Sequence, residues 1–335
     1  MILTYKVKHE RNFSDELRKA KQVAKYAIKT RSRSSKDVKH IGLKSMISNQ
    51  ILRKYSSDLR AKKVKSVKLA VPHQGIKVDQ GSRTIYIPCL KLRLRYEFPN
   101  TFEKINQIEL SNIYAYVSVT MPEPDRFVPS GWIGVDRNTI GHIAVVADPD
   151  TGKVLKLGKS AHHVHQKYKN IRRKLQKKGK YRKVKQIKNR ESRIVRDINH
   201  KVSRKIVDTA KKTEKGIKLE DLTGIRSGKK TARSFRYVKN SWSFYQLQQM
   251  IEYKAKLLGV EVAYVDPAYT SKSCSRCGHI GNRNKKTFEC SNCGHVDHAD
   301  SNAGFNIAMR PCIDRSVVDR DAIEGTTDGP KGALA

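Results

Sequence analysis

Hydrophobic and polar positions change period several times along the chain. At the start Leu3, Tyr5 and Val7 alternate with Thr4, Lys6 and Lys8, which predicts a strand with one buried face. Ser14 then reads as a helix N-cap followed by Asp15 and Glu16 in the first turn, with Leu17, Ala20, Ala24 and Ala27 as the buried stripe. The basic stretch TRSRSSK interrupts, and Leu43, Ile47 and Ile51 mark a second amphipathic helix. From Val64 to Thr120 the period returns to two. Leu92, Leu94, Tyr96 and Phe98 alternate with Lys91, Arg93, Arg95 and Glu97, a half-buried strand with a mostly cationic outer face. This first part is expected to be a small β-domain with a helical pair inserted after its first strand.

MPEPDRFVPSG carries three prolines and a glycine and reads as a linker. GWIGVDRNTIGHIAVVADPDTGKVLKL follows and predicts three consecutive hairpin strands, the first ending near Asp136 and the second running from Ile143 to Val146. Residues 161–215 are then helical, with Ile194, Ile198, Val202 and Ile206 recurring every four positions. GIKLEDL is a short strand, RSGKKTARSFR a basic loop, Trp242 to Leu258 a helix, VEVAYVDP a strand and DHADSNAGFNIAMR a last helix. Residues 311–335 are rich in Asp, Gly and Thr, have no periodicity and are expected to be disordered. No internal repeat is evident.

Charge narrows the function. Seventy Lys and Arg against 31 Asp and Glu leave +39 on 335 residues, which argues against an ordinary small-molecule enzyme and for a polyanionic partner. No run of eighteen apolar residues is present and no apolar stretch follows a basic start, so neither a membrane span nor a secretory signal is expected. A soluble, intracellular nucleic-acid binder is the reading. Residues 161–215 hold 21 Lys or Arg against four acids, with Tyr168 and Tyr181 among them, a phosphate-tracking surface rather than a merely solvated face. Phe235, Tyr237, Trp242 and Tyr245 are candidates for stacking on unpaired bases, although Trp242 suits helix packing better. The expected nucleic-acid contacts are Arg31, Arg33, Lys36, Arg172, Arg173, Lys177, Arg226, Lys229, Lys230 and Arg233.

Two groups of residues carry chemistry. Cys274, Cys277, Cys290 and Cys293 form two CxxCG units (CSRCG and CSNCG), in which glycine permits the tight turn around a tetrathiolate ion. Zinc is favoured over rubredoxin-type iron, in a structural role, with His279, His295 and His298 at the surface; Cys89 and Cys312 are incidental thiols. The second group is acidic. Asp136 ends an apolar strand, Glu220 sits late in another and Asp300 starts the last helix. One such acid is usually a cap or an element end. Three in this order fit phosphodiester hydrolysis with two Mg²⁺ ions roughly 3.5–4 Å apart, in an RNase H-like arrangement. Strand alternation lets only one of Glu220 and Asp221 face such a site, and Glu220 is favoured; Asp297, three before Asp300, is its substitute. Asp266, before Pro267, reads as a turn residue.

The succession GVDRN, KLEDL, YTSKSCSRCG, CSNCG and DHADSNAGFNIA, from Trp132 to about Arg310, closely resembles the TnpB family of insertion-sequence-encoded proteins, ancestors of type V CRISPR effectors. The resemblance implies a mixed α/β and α+β multidomain protein. A wedge-like β-barrel would occupy residues 1–12 and 62–122, a helical recognition insert 13–61 and a linker 123–131. A RuvC-type nuclease domain would occupy 132–269 and 296–310, with the basic helical segment 161–215, and be interrupted by a zinc ribbon at 270–295. It implies catalytic Asp136, Glu220 and Asp300 holding Mg²⁺, structural Zn²⁺ on the four cysteines, a guide RNA from the element's end, and cleavage of double-stranded target DNA beside a short motif in a prokaryotic cytoplasm, near the nucleoid. Two departures stand out: few residues precede the linker, and SNAGFN has glycine where alanine is more usual, an exchange expected to be tolerated. The rival readings are a guide-dependent DNA-binding regulator without cleavage, a transposase-type DNA-binding protein, and a non-enzymatic zinc-ribbon protein that leaves the acids unexplained.

Overall fold

The computed structural model describes residues 1–138, 140–222 and 244–313. They fall in two compact units, Met1–Glu123 and Pro124–Ala335.

The first unit has two antiparallel sheets. Strands β1 (Ile2–Lys8), β2 (Leu69–Pro72), β6 (Lys104–Leu110) and β7 (Tyr114–Thr120) form one in the order β1-β7-β6-β2; β3 (Lys77–Asp79), β4 (Thr84–Ile87) and β5 (Leu92–Arg95) form the other. The alternation read from sequence holds: Leu92, Leu94, Tyr96 and Phe98 are all buried. Phe98 stacks on Tyr96 at 4.4 Å and on Tyr5 of β1 at 4.6 Å, so the aromatic side of the motif is core. The expected β-barrel is not closed. Among the described residues no ladder joins the edges of the two sheets. Closure needs strands long enough to tilt and stagger, whereas β2 to β5 are three or four residues each and β2 ends at Pro72, which cannot donate. Helix α1 (Ser14–Thr30), a 3-10 turn (Ser35–Ile41) and helix α2 (Ser45–Ser56) lie between β1 and β2. Ser14 is the first helical residue and not the cap; the Asn12 carboxamide oxygen accepts from its backbone N–H at 2.9 Å and its hydroxyl at 2.6 Å.

The second unit is built on a five-stranded sheet. Its strands are β8 (Trp132–Arg137), β9 (Ala144–Ala147), β10 (Val154–Leu157), β11 (Gly216–Glu220) and β12 (Val262–Val265), in the order β10-β9-β8-β11-β12. The first three form an antiparallel meander, while β11 runs parallel to both β8 and β12. The basic stretch is three helices: α3 (Ser160–Lys177), α4 (Tyr181–Gln186) and α5 (Arg190–Lys212), the first break falling at Gly179. The buried stripe of α5 is Val195, Asn199, Val202 and Ile206, and Ile194 is 40% exposed. A step of four residues overshoots a helical turn by about 40°, so Ile194 has rotated some 120° from Ile206.

Helices α5 and α6 (Phe244–Leu258) bury Val202, Ile206, Leu247 and Ile251 in one hydrophobic core with Ile133, Val135, Ile217 and Leu219 of the sheet. Helix α7 (Ala299–Met309) packs on β8, β9 and β11. Its approach is close: a Cβ on Gly134 would lie 2.0 Å from the Gly304 carbonyl oxygen. A Cβ on Gly304 would in turn meet the Ala147 Cβ at 2.9 Å, so glycine and alanine are not interchangeable there as expected; the helix would have to lift. Lys218, on the α7 face, donates to the carbonyls of Ala308 (3.0 Å) and Arg310 (2.6 Å), a cation placed at the negative end of α7. Between β12 and α7 a small antiparallel sheet forms from β13 (Asn282–Asn284), β14 (Thr287–Glu289) and β15 (Val296–His298). Among the described residues no helix is long and apolar enough to cross a membrane.

Candidate metal centres and nucleic-acid surfaces

The register of the parallel pair sets up the acidic centre. Leu219 aligns with Val135, so the next step along both strands brings Glu220 beside Asp136 at a strand spacing near 4.8 Å. Both side chains point to the face that α7 covers, and Asp300 enters from the first turn of that helix, where negative charge is favoured. His298 caps the helix, its Nδ1 accepting the Asp300 N–H at 3.3 Å. All three acids are buried. Burial, and then the neighbouring Glu220 charge, push the Asp136 carboxyl up to about 7, although Asn138 donates to its Oδ2 at 2.7 Å. Burial also raises Glu220, against the Thr270 hydroxyl that donates to its Oε1 at 2.5 Å. Asp300 is neutralised: Arg283 reaches Oδ1 at 3.1 Å and Lys286 reaches Oδ2 at 2.5 Å. The guanidinium of Arg137 braces the floor, donating to the Glu220 carbonyl at 2.5 Å and to Gln248 of α6 at 2.7 Å.

Two buried carboxyls held at raised pKa beside a third fit a hard divalent cation, which needs oxygen donors and negative charge. The three do not close into a tight cage. Among the described residues only the four cysteines form a group of three or more ligands within 4.8 Å of one another. An open carboxylate set suits Mg²⁺, which keeps several of its waters. Of the alternatives, Asp221 is half-buried and continues the ladder by donating its N–H to Val265; Asp297 is half-buried and accepts from the His298 N–H at 2.6 Å. Asp266 forms the turn expected of it, accepting from the Ala268 N–H at 2.9 Å.

The thiol centre is local. Cys274 and Cys293 sulfurs lie 3.6 Å apart and Cys277 and Cys290 sulfurs 3.5 Å, far beyond a disulfide bond and close to the edge of a tetrahedron with metal–sulfur bonds of about 2.3 Å. Gly278 and Gly294 close the two knuckles at φ 77° and 66°, the left-handed region where a side chain is strained. Backbone donation from His279 draws the Cys277 thiol down, while Cys293, against backbone donation from His295, is pushed up by its hydrogen bond to Cys277, so the first negative charge of the cluster falls on Cys277. His279 itself sits outside the cluster, with Nδ1 3.2 Å from the Asn292 amide.

The expected cationic contacts divide three ways. Arg33, Lys36, Arg173 and Lys177 are exposed. Arg31 ties α1 to the end of α2 through the carbonyl of Asp58 at 2.9 Å, and Arg172 pairs with buried Glu191, so both have structural partners. Arg226, Lys229, Lys230 and Arg233, like Phe235, Tyr237, Trp242 and the tail from residue 314, lie outside the described residues. Sequence reading passed over Arg283, Lys286 and Thr270. It also passed over the outer face of the first sheet, where Lys6 and Lys68 each sit 3.7 Å above a ring, of Tyr114 and Tyr116.

Residues 244–307 match the family model described as "Cas12f1-like, TNB domain". A CRISPR-associated endodeoxyribonuclease Cas12f1 of Sulfoacidibacillus thermotolerans is 43% identical over 125 residues, 36% of this chain and 28% of its own. A TnpB-like protein of Methanocaldococcus jannaschii is 42% identical over 122 residues, 34% of this chain and 44% of its own. The chain thus spans less than half the length of these curated relatives. In fold it is similar to the protein in a cryo-EM structure of a Cas12f1–sgRNA–target DNA complex, with TM-score 0.62 and 16% identity over 90% of this chain and 82% of that one. The matched segment takes in the cysteine knuckles, α6 and nearly all of α7, and these likenesses support a place for the chain in the TnpB family.

Proposed function

We propose that the protein is an RNA-guided DNA endonuclease that cuts double-stranded DNA beside a short motif, with Asp136, Glu220 and Asp300 as its catalytic acids. The observation that carries this reading is the convergence of three buried carboxyls at the ends of β8, β11 and the start of α7, two of them raised chiefly by burial. Bound magnesium would supply a metal-activated water and stabilise the leaving oxygen of the phosphodiester. The chain's own part is to hold the carboxylates on a rigid sheet and helix, and to keep Asp300 compensated by Arg283 and Lys286. Guide pairing would read the target, while cationic surfaces hold the heteroduplex by its backbone.

On this reading residues 132–269 and 296–310 form an RNase H-like domain of RuvC type, and Zn²⁺ on Cys274, Cys277, Cys290 and Cys293 holds the ribbon at 270–295. Residues 1–12 and 62–122 take the wedge role and 13–61 the recognition insert, 123–131 acts as the linker, and the protein works in the cytoplasm near the nucleoid. The exposed Arg33, Lys36, Arg173 and Lys177 belong to the nucleic-acid surface, to which Arg226, Lys229, Lys230 and Arg233 add.

The test is to express the protein from its native locus, sequence the RNA that stays bound, and offer Mg²⁺ with a plasmid library matched to that RNA. A discrete RNA with guide-directed cuts is expected. A discrete RNA without cuts would turn the reading to a binding regulator, and heterogeneous RNA would remove the guided mechanism.

A further inference from the structure

The segment that follows β12 leaves the sheet in a turn, Asp266 to Thr270, and does not go directly to the cysteine knuckles. At its end Thr270 is 2% exposed, and its hydroxyl lies 2.5 Å from Glu220 Oε1 and 3.1 Å from the Pro267 carbonyl oxygen. A hydroxyl has one proton, and an ionised carboxylate is the stronger and nearer acceptor. The last torsion of a glutamate is soft, so one anchored oxygen is what sets the plane of the group.

Thr270 is itself gripped from α7. Asn306, buried, donates through its side-chain amide to the Thr270 carbonyl at 2.8 Å and to the Ser273 carbonyl at 2.7 Å. Asn302, one turn earlier and fully buried, donates to the same Ser273 carbonyl at 2.7 Å and accepts from the Ser275 N–H at 2.9 Å. The helix that presents Asp300 therefore holds the loop that orients Glu220.

We propose that Thr270 is a positioning residue of the acidic centre, fixing the Glu220 carboxylate for a divalent cation and, through Asn306, indexing it to the helix that carries Asp300. The proposal rests on the nuclease reading above. Partners that orient metal-binding carboxylates typically contribute 10- to 100-fold to metal affinity. A threonine that merely satisfies a buried carboxyl would contribute to stability alone.

The experiment uses the full-length protein with its co-purified RNA and measures Mn²⁺ binding by the electron paramagnetic resonance of free Mn²⁺. The ion bound by wild type and not by Asp136→Asn is taken as the acidic centre, which sets aside Mn²⁺ held by RNA. Thr270→Val, which keeps the shape and removes the donor, is expected to weaken that binding about 10- to 100-fold and raise the Mg²⁺ midpoint for cleavage in step, with zinc content unchanged. Thr270→Ser is expected to restore both. If the valine disrupts folding, Thr270→Ser against Thr270→Ala asks the same question, since both lack the methyl and differ in the hydroxyl. Wild-type Mn²⁺ affinity in the variant without a hydroxyl, or a serine variant no better than alanine, overturns the positioning role. If Asp136→Asn also binds Mn²⁺ like wild type, the nuclease reading beneath it fails instead.

Discussion

The thiol and acidic centres of the second unit are built in opposite ways. The four cysteines fall within twenty residues, and two tight knuckles bring their sulfurs within 4.8 Å of one another. The acids come from positions 136, 220 and 300, and only the parallel pairing of β8 with β11 and the docking of α7 on Gly134 bring them together. One sulfur can carry a negative charge while its neighbours keep their protons until a metal arrives, so their gathering costs little. Burial disfavours a charged carboxylate, and at Asp136 the neighbouring Glu220 charge adds to it; the raised Asp136 and Glu220 record that cost. One centre is made by local chain geometry and, as a metal site, would stabilise its surroundings once loaded. The other is paid for by the fold around it and gains from a cation only what burial took away.

Removing one cysteine gives the largest effect. Structural zinc sites of this type bind with an apparent 10–16 kcal/mol, and three thiolates hold the ion far less well. Cys290→Ser should lose zinc, measurable as metal per chain, and lose hydrogen-exchange protection over β13 to β15. Unchanged zinc content would end the tetrathiolate reading.

Asp136→Asn sharpens the contrast from the other side. Cleavage should fall by more than roughly 100-fold, since even partners one step removed from a metal contribute that much. Guide-dependent DNA binding should persist. Stability should move the opposite way. The folded carboxyl titrates near 7 against an ordinary 3.8, so its contribution is fully present below the ordinary value and lost as pH rises through 7. Asparagine carries no such charge, and the metal-free variant should melt higher than wild type above pH 7 and approach it near pH 4. A lower melting temperature at high pH would mean that Asp136 is a structural acid.

How far each centre was legible in the sequence follows from the same contrast. CxxCG is written in consecutive residues, and Asp136 is marked by the apolar strand it ends. Glu220 was separable from Asp221 only by alternation, because their neighbours in space, Asp136 and Val265, are far away in the chain. Thr270 had no signal at all: a hydroxyl acquires its meaning from a carboxylate fifty positions earlier. Arg283 and Lys286 were hidden by number, two cations among seventy. The β-barrel failed for a related reason, since alternation reports which face of a strand is buried and nothing about whether the edges of two sheets meet.

Lys286 is where the two centres touch, and it carries the smallest prediction. It sits between β13 and β14 of the cysteine ribbon, yet its amine pairs with Asp300, whose side chain is 1% exposed. Removing one partner of a fully buried pair costs about 3–5 kcal/mol, but Lys286 is 39% exposed and Arg283 remains on the other oxygen. Lys286→Ala should therefore lower metal-free stability by about 1 kcal/mol, read from the denaturant midpoint at constant slope. Saturating Mg²⁺ should narrow that gap, because a cation at the acids takes over part of the compensation. A deficit that is the same with and without Mg²⁺ would make Lys286 a simple surface tether. A deficit that closes would mean that the ribbon supplies the positive charge which keeps Asp300 buried until a metal takes its place, and that the local centre helps to support the distributed one.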